Sequence, residues 1–272
     1  MHVTPGDLRP IRRDGLVFRT AVLAGAGFAI VELPGGPALR TSIESSCDRE
    51  HWGYVIRGEA TIVLPGNQAL SVGAGEAFHL PAGTGHGVVA TGGSQVAAFI
   101  PGADAGEVRD GMIGAPVSSP DGGQPSIRLD RPTRFLSRRT TDAEPRRVIA
   151  EGRRMGSHVF AQVRLGVESG YTVGYCDLPH WGMVLSGRLT IEWENDVAAL
   201  AAGDVFHCPA GPPGHRFLGA DPALLIDYTP VDAYGSEATR MAEWRATMAR
   251  TVLASPASDV DAGFVVEVAQ AG

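Results

Sequence analysis

Lysine is absent from the chain: all 23 basic residues are arginine. That excludes Schiff-base chemistry through a lysine amine and the phosphate-cradling lysine of a P-loop. The bias reads as the codon usage of a GC-rich bacterial genome. Charge is scarce as well, at 19% of residues, and its balance is negative, with a formal net charge of −7. Basic runs never exceed two arginines, as at Arg12-Arg13 and Arg153-Arg154. Nucleic acid and anionic membrane surfaces are therefore not expected partners, since both select clustered positive charge. Apolar runs of membrane-spanning length are missing. The opening Met1-His2-Val3-Thr4-Pro5-Gly6 lacks the basic region and apolar core of a signal peptide. Cysteine is limited to three residues. An odd number in such a chain points to a reducing cytoplasm and to thiols with duties other than disulfides.

What is plentiful is glycine (36) and proline (19), within a composition that is 44% hydrophobic. These breakers favour many short strands over long helices, and 272 residues suffice for one large or two ordinary domains. Self-comparison organises the chain. Cys47-Asp48-Arg49-Glu50-His51-Trp52-Gly53 recurs as Cys176-Asp177-Leu178-Pro179-His180-Trp181-Gly182, 129 residues downstream, and Gly58 recurs as Gly187. Gly75-Glu76-Ala77-Phe78-His79-Leu80-Pro81-Ala82-Gly83 recurs as Gly203-Asp204-Val205-Phe206-His207-Cys208-Pro209-Ala210-Gly211, now 128 residues on. One extra residue within Pro212-Pro213-Gly214 restores the offset, so His86 maps to His215. Chance does not align so many Cys, His, Trp, Gly and Pro; the gene was duplicated. Each copy reads as short strands separated by Gly/Pro turns, which indicates an antiparallel barrel or sandwich. A helix is expected over 236–253, where Met241, Trp244, Met248 and Val252 share a face.

These motifs resemble those of the cupin family, roughly G-x5-H-x-H-x(3,4)-E-x6-G followed by G-x5-P-x-G-x2-H. Gly75, Pro81, Gly83 and His86 fit the second motif, as do Gly203, Pro209 and Gly211, with His215 displaced by the insertion. The first motif is altered: the glutamate position is His51 and the second histidine position is Cys47, with His180 and Cys176 in the other half. The resemblance spans about 25–100 and 155–230. It implies an all-β fold of two cupin barrels (double-stranded β-helix, or jelly roll) with a C-terminal helix. The expected divisions are an N-terminal barrel at 1–115, a linker at 116–144, a C-terminal barrel at 145–235, and a helix and tail at 236–272.

The resemblance further implies a metal site in each half, built from Cys47, His51 and His86 and from Cys176, His180 and His215. Residues i and i+4 of a strand share a face, which lets each Cys and its first His converge. A thiolate with two imidazoles suits zinc, with a fourth position open to water or substrate; iron and nickel are alternatives. His79 and His207 recur on the strands leading to the last ligand and are candidate proton-transfer groups, with a fourth-ligand, ligand-supporting or plain core role equally open. Arg49, two residues before His51, is expected on the same face, where it could grip a substrate carboxylate; Leu178 replaces it in the second half. That makes the N-terminal barrel the better candidate for an anionic substrate. Cys208, whose counterpart is Leu80, reads as a core residue.

The reading that follows is a cytoplasmic, metal-dependent bicupin enzyme acting on a small polar or carboxylate-bearing metabolite. Redox-neutral lyase, isomerase or cyclase work is favoured, because the two-histidine, one-carboxylate set of oxygen-activating iron is absent. An iron-dependent dioxygenase and a non-enzymatic metal-loaded sensor or binding protein stay open. Beyond a small-molecule substrate, a second copy of the chain, giving a homodimer, is a compatible partner.

Overall fold

The computed structural model describes residues 2–3, 10–13, 16–33, 39–40, 46–47, 49–64, 68–90, 93–103, 133–136, 147–166, 169–170, 176–211, 213–219, 221–234 and 263–269. The chain divides into two compact units, Leu8–Leu136 and Met1–Asp7 with Ser137–Gly272. Described secondary structure is almost entirely antiparallel strand; its helical content is one 3-10 turn at Val231–Tyr234. Among the described residues no helix is long and apolar enough to cross a membrane. The helix expected over 236–253 lies outside the described residues.

In the first unit a seven-stranded sheet runs in the order Thr133–Leu136, Glu76–Leu80, His51–Arg57, Ser94–Pro101, Ala26–Leu33, Leu16–Leu23 and Pro10–Arg13. A four-stranded sheet, Leu39–Arg40, Gly87–Ala90, Glu59–Leu64 and Gln68–Gly73, supplies the other layer. The period of two in each strand decides which residues lie between the layers. Val55, Phe78, Leu80 and Val96 from the larger sheet join Ala60, Ile62, Leu64 and Val72 from the smaller in one buried cluster. Full burial of each Leu, Ile, Val or Phe contributes about 1.5–3 kcal/mol.

The second unit repeats the plan. Its large sheet runs His2–Val3, Val205–Cys208, His180–Ser186, Ala223–Pro230, His158–Leu165, Arg147–Met155 and Gly263–Ala269. The smaller sheet comprises Ser169–Gly170, His215–Gly219, Arg188–Trp193 and Val197–Ala201. The copies share even an irregularity: register shifts at Val55/Arg57 against Ser94–Pro101 and at Val184/Ser186 against Ala223–Pro230, as a one-residue bulge does.

Three strands depart from the expected divisions. Thr133–Leu136 lies in the segment expected as a linker and pairs with Glu76–His79 of the first unit. His2–Val3 pairs with Val205 and Phe206 of the second. Gly263–Ala269, in the segment expected as helix and tail, pairs along Arg147–Arg153. Such segments carry weak sequence signals because each covers a sheet edge, where no two-sided burial pattern is imposed.

The Trp-Gly part of the repeated motif has a packing cause. Gly53 lies opposite Phe78, and Gly182 opposite Phe206, each Phe on the neighbouring strand. A Cβ at Gly53 would overlap the Phe78 ring; at Gly182 it would overlap the Phe206 ring and the Ile226 carbonyl oxygen. Only glycine lets the ring lie flat on the strand.

Candidate metal centres

The strands that open with His51 and His180 each send their histidine to the interior face. His51 is in register with Leu80 and His180 with Cys208, both members of the buried clusters between the sheets. In the second unit Cys176 and His215 form an isolated antiparallel bridge. Cys176 N donates to His215 O at 2.5 Å, and His215 N donates to Cys176 O at 2.7 Å. Directly opposed residues of such a bridge point to the same side. The Cys176 Sγ accordingly lies 3.1 Å from His180 Nε2, and the ligand atoms of Cys176, His180 and His215 all fall within 4.8 Å of one another. A tetrahedral ion with bonds of roughly 2.0–2.3 Å needs its donors roughly 3.3–3.8 Å apart, so small side-chain shifts would let this set hold one.

Behind His180 stand two residues of the Ala223–Pro230 strand. Thr229 Oγ1 is 2.8 Å from His180 Nδ1, and Asp227 Oδ2 is 3.5 Å from the same nitrogen. The tautomer that leaves Nε2 open to an ion carries its proton on Nδ1, and that N–H donates to the Thr229 hydroxyl oxygen. Burial pushes the Asp227 carboxyl up to about 7. Cys208 is fully buried, and burial first, then the neighbouring Cys176, raises its thiol well above the ordinary range.

In the first unit His51 Nε2 and His86 Nε2 are 3.0 Å apart. His51 Nδ1 lies 3.2 Å from the Arg49 carbonyl oxygen, and His86 Nδ1 lies 2.9 Å from that of Thr84. A carbonyl only accepts, so both imidazoles hold their proton on Nδ1 and present lone pairs to each other. Burial and the facing His86 lower His51 to about 3, and burial lowers His86, which disfavours a shared proton. Two buried lone pairs at this distance suit a cation between them. Ser46–Cys47 pairs with Thr84–Gly85, Cys47 opposite Thr84, which brings the Cys47 backbone to the strand that leads into His86. The Cys47 side chain lies outside the described residues.

Residues 37–100 match the family described as Cupin_2, cupin domain. The solved structures most similar in fold include variants of Bacillus subtilis oxalate decarboxylase. One single-substitution variant is 16% identical with a TM-score of 0.62, covering 85% of this chain and 77% of that one. A tryptophan-to-phenylalanine variant is 15% identical with a TM-score of 0.61 at the same coverage. A third structure of that enzyme, described with Mn(II) centres, is 16% identical with a TM-score of 0.58, again at 85% and 77% coverage. No curated protein sequence matches the chain. The chain carries a cupin domain and has the two-barrel fold of these structures.

Within this two-barrel fold the remaining candidates are placed elsewhere. His79 and His207 are register partners of Trp52 and Trp181, so alternation puts them on the sheet face opposite the ligand histidines. His79 stacks on Trp52 at a centroid distance of 5.0 Å, and its Nε2 is 2.6 Å from Glu50 Oε1. His207 packs over Trp181 at 4.8 Å, and burial lowers its pKa. Arg49 precedes the strand, which begins at His51, so the same-face expectation does not apply to it. Its Nη1 donates to the Gly102 carbonyl at 2.9 Å; Leu178, its counterpart, is buried.

Sequence reasoning missed Asp227 and Thr229. The signal was available in the repeat: the offset of 129 sets Ala98 and Ile100 against Asp227 and Thr229. Two polar residues at i and i+2 in an otherwise apolar buried strand ask for a partner.

Proposed function

We propose that each barrel holds a divalent metal ion through its Cys-His-His set, and that the protein performs redox-neutral, lyase-type chemistry on a small carboxylate-bearing metabolite. The observation that carries this is the convergence of Cys176, His180 and His215 inside a barrel, with donor spacing suited to one ion. The His51–His86 pair supports the same assignment for the first barrel. A bound dication would supply Lewis acidity toward a carboxylate or carbonyl oxygen. The chain's own residues set the conditions: apolar walls of Leu80, Val55 and Phe78, or of Val184, Phe206 and Cys208, exclude water and strengthen electrostatic interactions at the site. In the second barrel Thr229 and Asp227 hold the His180 ring.

The similar fold of an enzyme named oxalate decarboxylase supports a carboxylate substrate. On metal identity two arguments pull apart. Sulfur and nitrogen donors favour zinc, then iron or nickel, whereas the similar structure is described with Mn(II) centres. Metal analysis of the purified protein decides between them. A second reading, a metal-loaded small-molecule sensor, draws support from the first barrel, where apolar Ala98 and Ile100 occupy the positions of Asp227 and Thr229.

The test couples metal content to turnover. His215→Ala should lose about one metal equivalent per chain, and carbon dioxide release from oxalate and related small carboxylates should stop on chelation and return with the metal. Metal-loaded protein that leaves the whole carboxylate panel unchanged would replace the lyase reading with the sensor.

A further inference from the structure

The two barrels keep the same histidine pair but support it differently. In the second, His180 Nδ1 faces the Thr229 hydroxyl at 2.8 Å and the Asp227 carboxylate at 3.5 Å, both residues buried. In the first, His51 Nδ1 has a backbone carbonyl at 3.2 Å. The register of the supporting strand is the same: Asp227 lies opposite Gly182 as Ala98 lies opposite Gly53. The difference is therefore one of side chain and not of chain path.

We propose that Asp227 and Thr229 are positioning residues for His180, and that they make the second barrel the slowly exchanging metal site and the first the labile one. This rests on the metal assignment above. A hydroxyl and a carboxylate on the far nitrogen fix the tautomer, stop the ring from rotating and raise the basicity of Nε2. The carboxylate adds a second negative charge to that of the thiolate, so a dication is neutralised within a low-dielectric interior. A neutral amide carbonyl behind His51 fixes the tautomer but supplies no charge. The carboxylate that does act on His51, Glu50, is engaged by His79 Nε2 at 2.6 Å and not by the ligand ring, so the first site is the more labile and the second holds its ion.

The experiment uses full-length protein loaded with Co²⁺, whose thiolate charge-transfer absorption reports sulfur ligation independently of catalysis. His86→Ala leaves the second site alone, and His215→Ala leaves the first. The expected result is slower release to excess chelator from the second site, accelerated roughly 10- to 100-fold by Asp227→Asn or Thr229→Val. The isosteric Asn keeps the barrel packed, and an initial absorption equal to that of the parent shows that the site is formed before release. In the reciprocal arm, Ala98→Asp with Ile100→Thr should slow release from the first site. Release rates unchanged by Asp227→Asn and by Thr229→Val would overturn the proposal while leaving the metal assignment standing. A parent protein that binds no Co²⁺ would overturn both.

Discussion

The first barrel orients its candidate ligand histidines with backbone, Arg49 O and Thr84 O, whereas in the second the side chains of Thr229 and Asp227 stand behind His180. Duplication thus preserved what the fold needs, the inward His, the outward Trp and the Gly beneath a Phe ring, and freed what stands behind the ligands. A backbone acceptor cannot be lost by substitution, but it cannot be strengthened either. A side-chain acceptor can bring charge, at the cost of burying a carboxylate.

Burial acts on a different kind of group in each barrel, a histidine in the first and a carboxyl in the second, and the two contribute opposite responses to pH once metal is removed. Folded His51 titrates near 3 against an ordinary 6.5. As pH falls through that interval, the unfolded chain takes up a proton that the folded chain refuses. The first barrel therefore loses stability downward from about 6.5, by up to about 1.4 kcal/mol per pH unit. Folded Asp227 titrates near 7 against an ordinary 3.8. Between those values the folded chain keeps a proton that the unfolded chain has released, so the second barrel loses stability as pH rises from about 4 to about 7. Denaturant unfolding of chelator-treated protein across pH 4 to 7 should show this rising-pH loss flattened in Asp227→Asn, which imitates the protonated acid. Parallel profiles for parent and variant would refute this account of Asp227.

A smaller effect tests the shared packing. Gly53→Ala and Gly182→Ala should each cost about 1–3 kcal/mol through overpacking, read as a shift in unfolding midpoint. The second should be the worse of the two. At Gly53 the three atoms nearest to the added methyl all belong to the Phe78 ring, which can turn, whereas at Gly182 the Ile226 carbonyl oxygen, fixed in a central strand, is among the nearest. Equal costs would mean that the sheet yields where a ring does not.

The two-barrel fold was legible because duplication wrote its signals twice. The inward placing of His51 and His180 was legible because their Gly, Pro and Trp neighbours mark strand ends and turns. The facing of His79, His207 and Arg49 is not legible in the sequence, because it depends on where the strand begins. Leu80 shares the face of His51, so His79 cannot, and Arg49 lies outside the strand altogether. Asp227 and Thr229 lie outside the repeated motifs, because the two halves differ at these positions.

The mildest contrast lies at the turn after each ligand strand. Gly58 and Gly187 both adopt left-handed backbone, with φ of 75° and 76°. In the first barrel the buried Ser94 ties the turn: its Oγ accepts from Glu59 N at 3.0 Å and donates to Glu59 O at 2.8 Å. Its counterpart is Ala223, which offers neither bond. Ser94→Ala should cost about 1–2 kcal/mol, since two backbone groups lose a buried partner, whereas Ala223→Ser should give no matching gain. There the Pro222 carbonyl group, and not a side chain, lies nearest to where a Cβ on Gly187 would be. The measurement is the chemical-denaturation midpoint of each variant, with amide exchange at Glu59 and Arg188 reporting the turn itself. A gain from Ala223→Ser as large as the loss from Ser94→Ala would show that the two turns are interchangeable, and that the backbone crowding at Gly187 does not distinguish them.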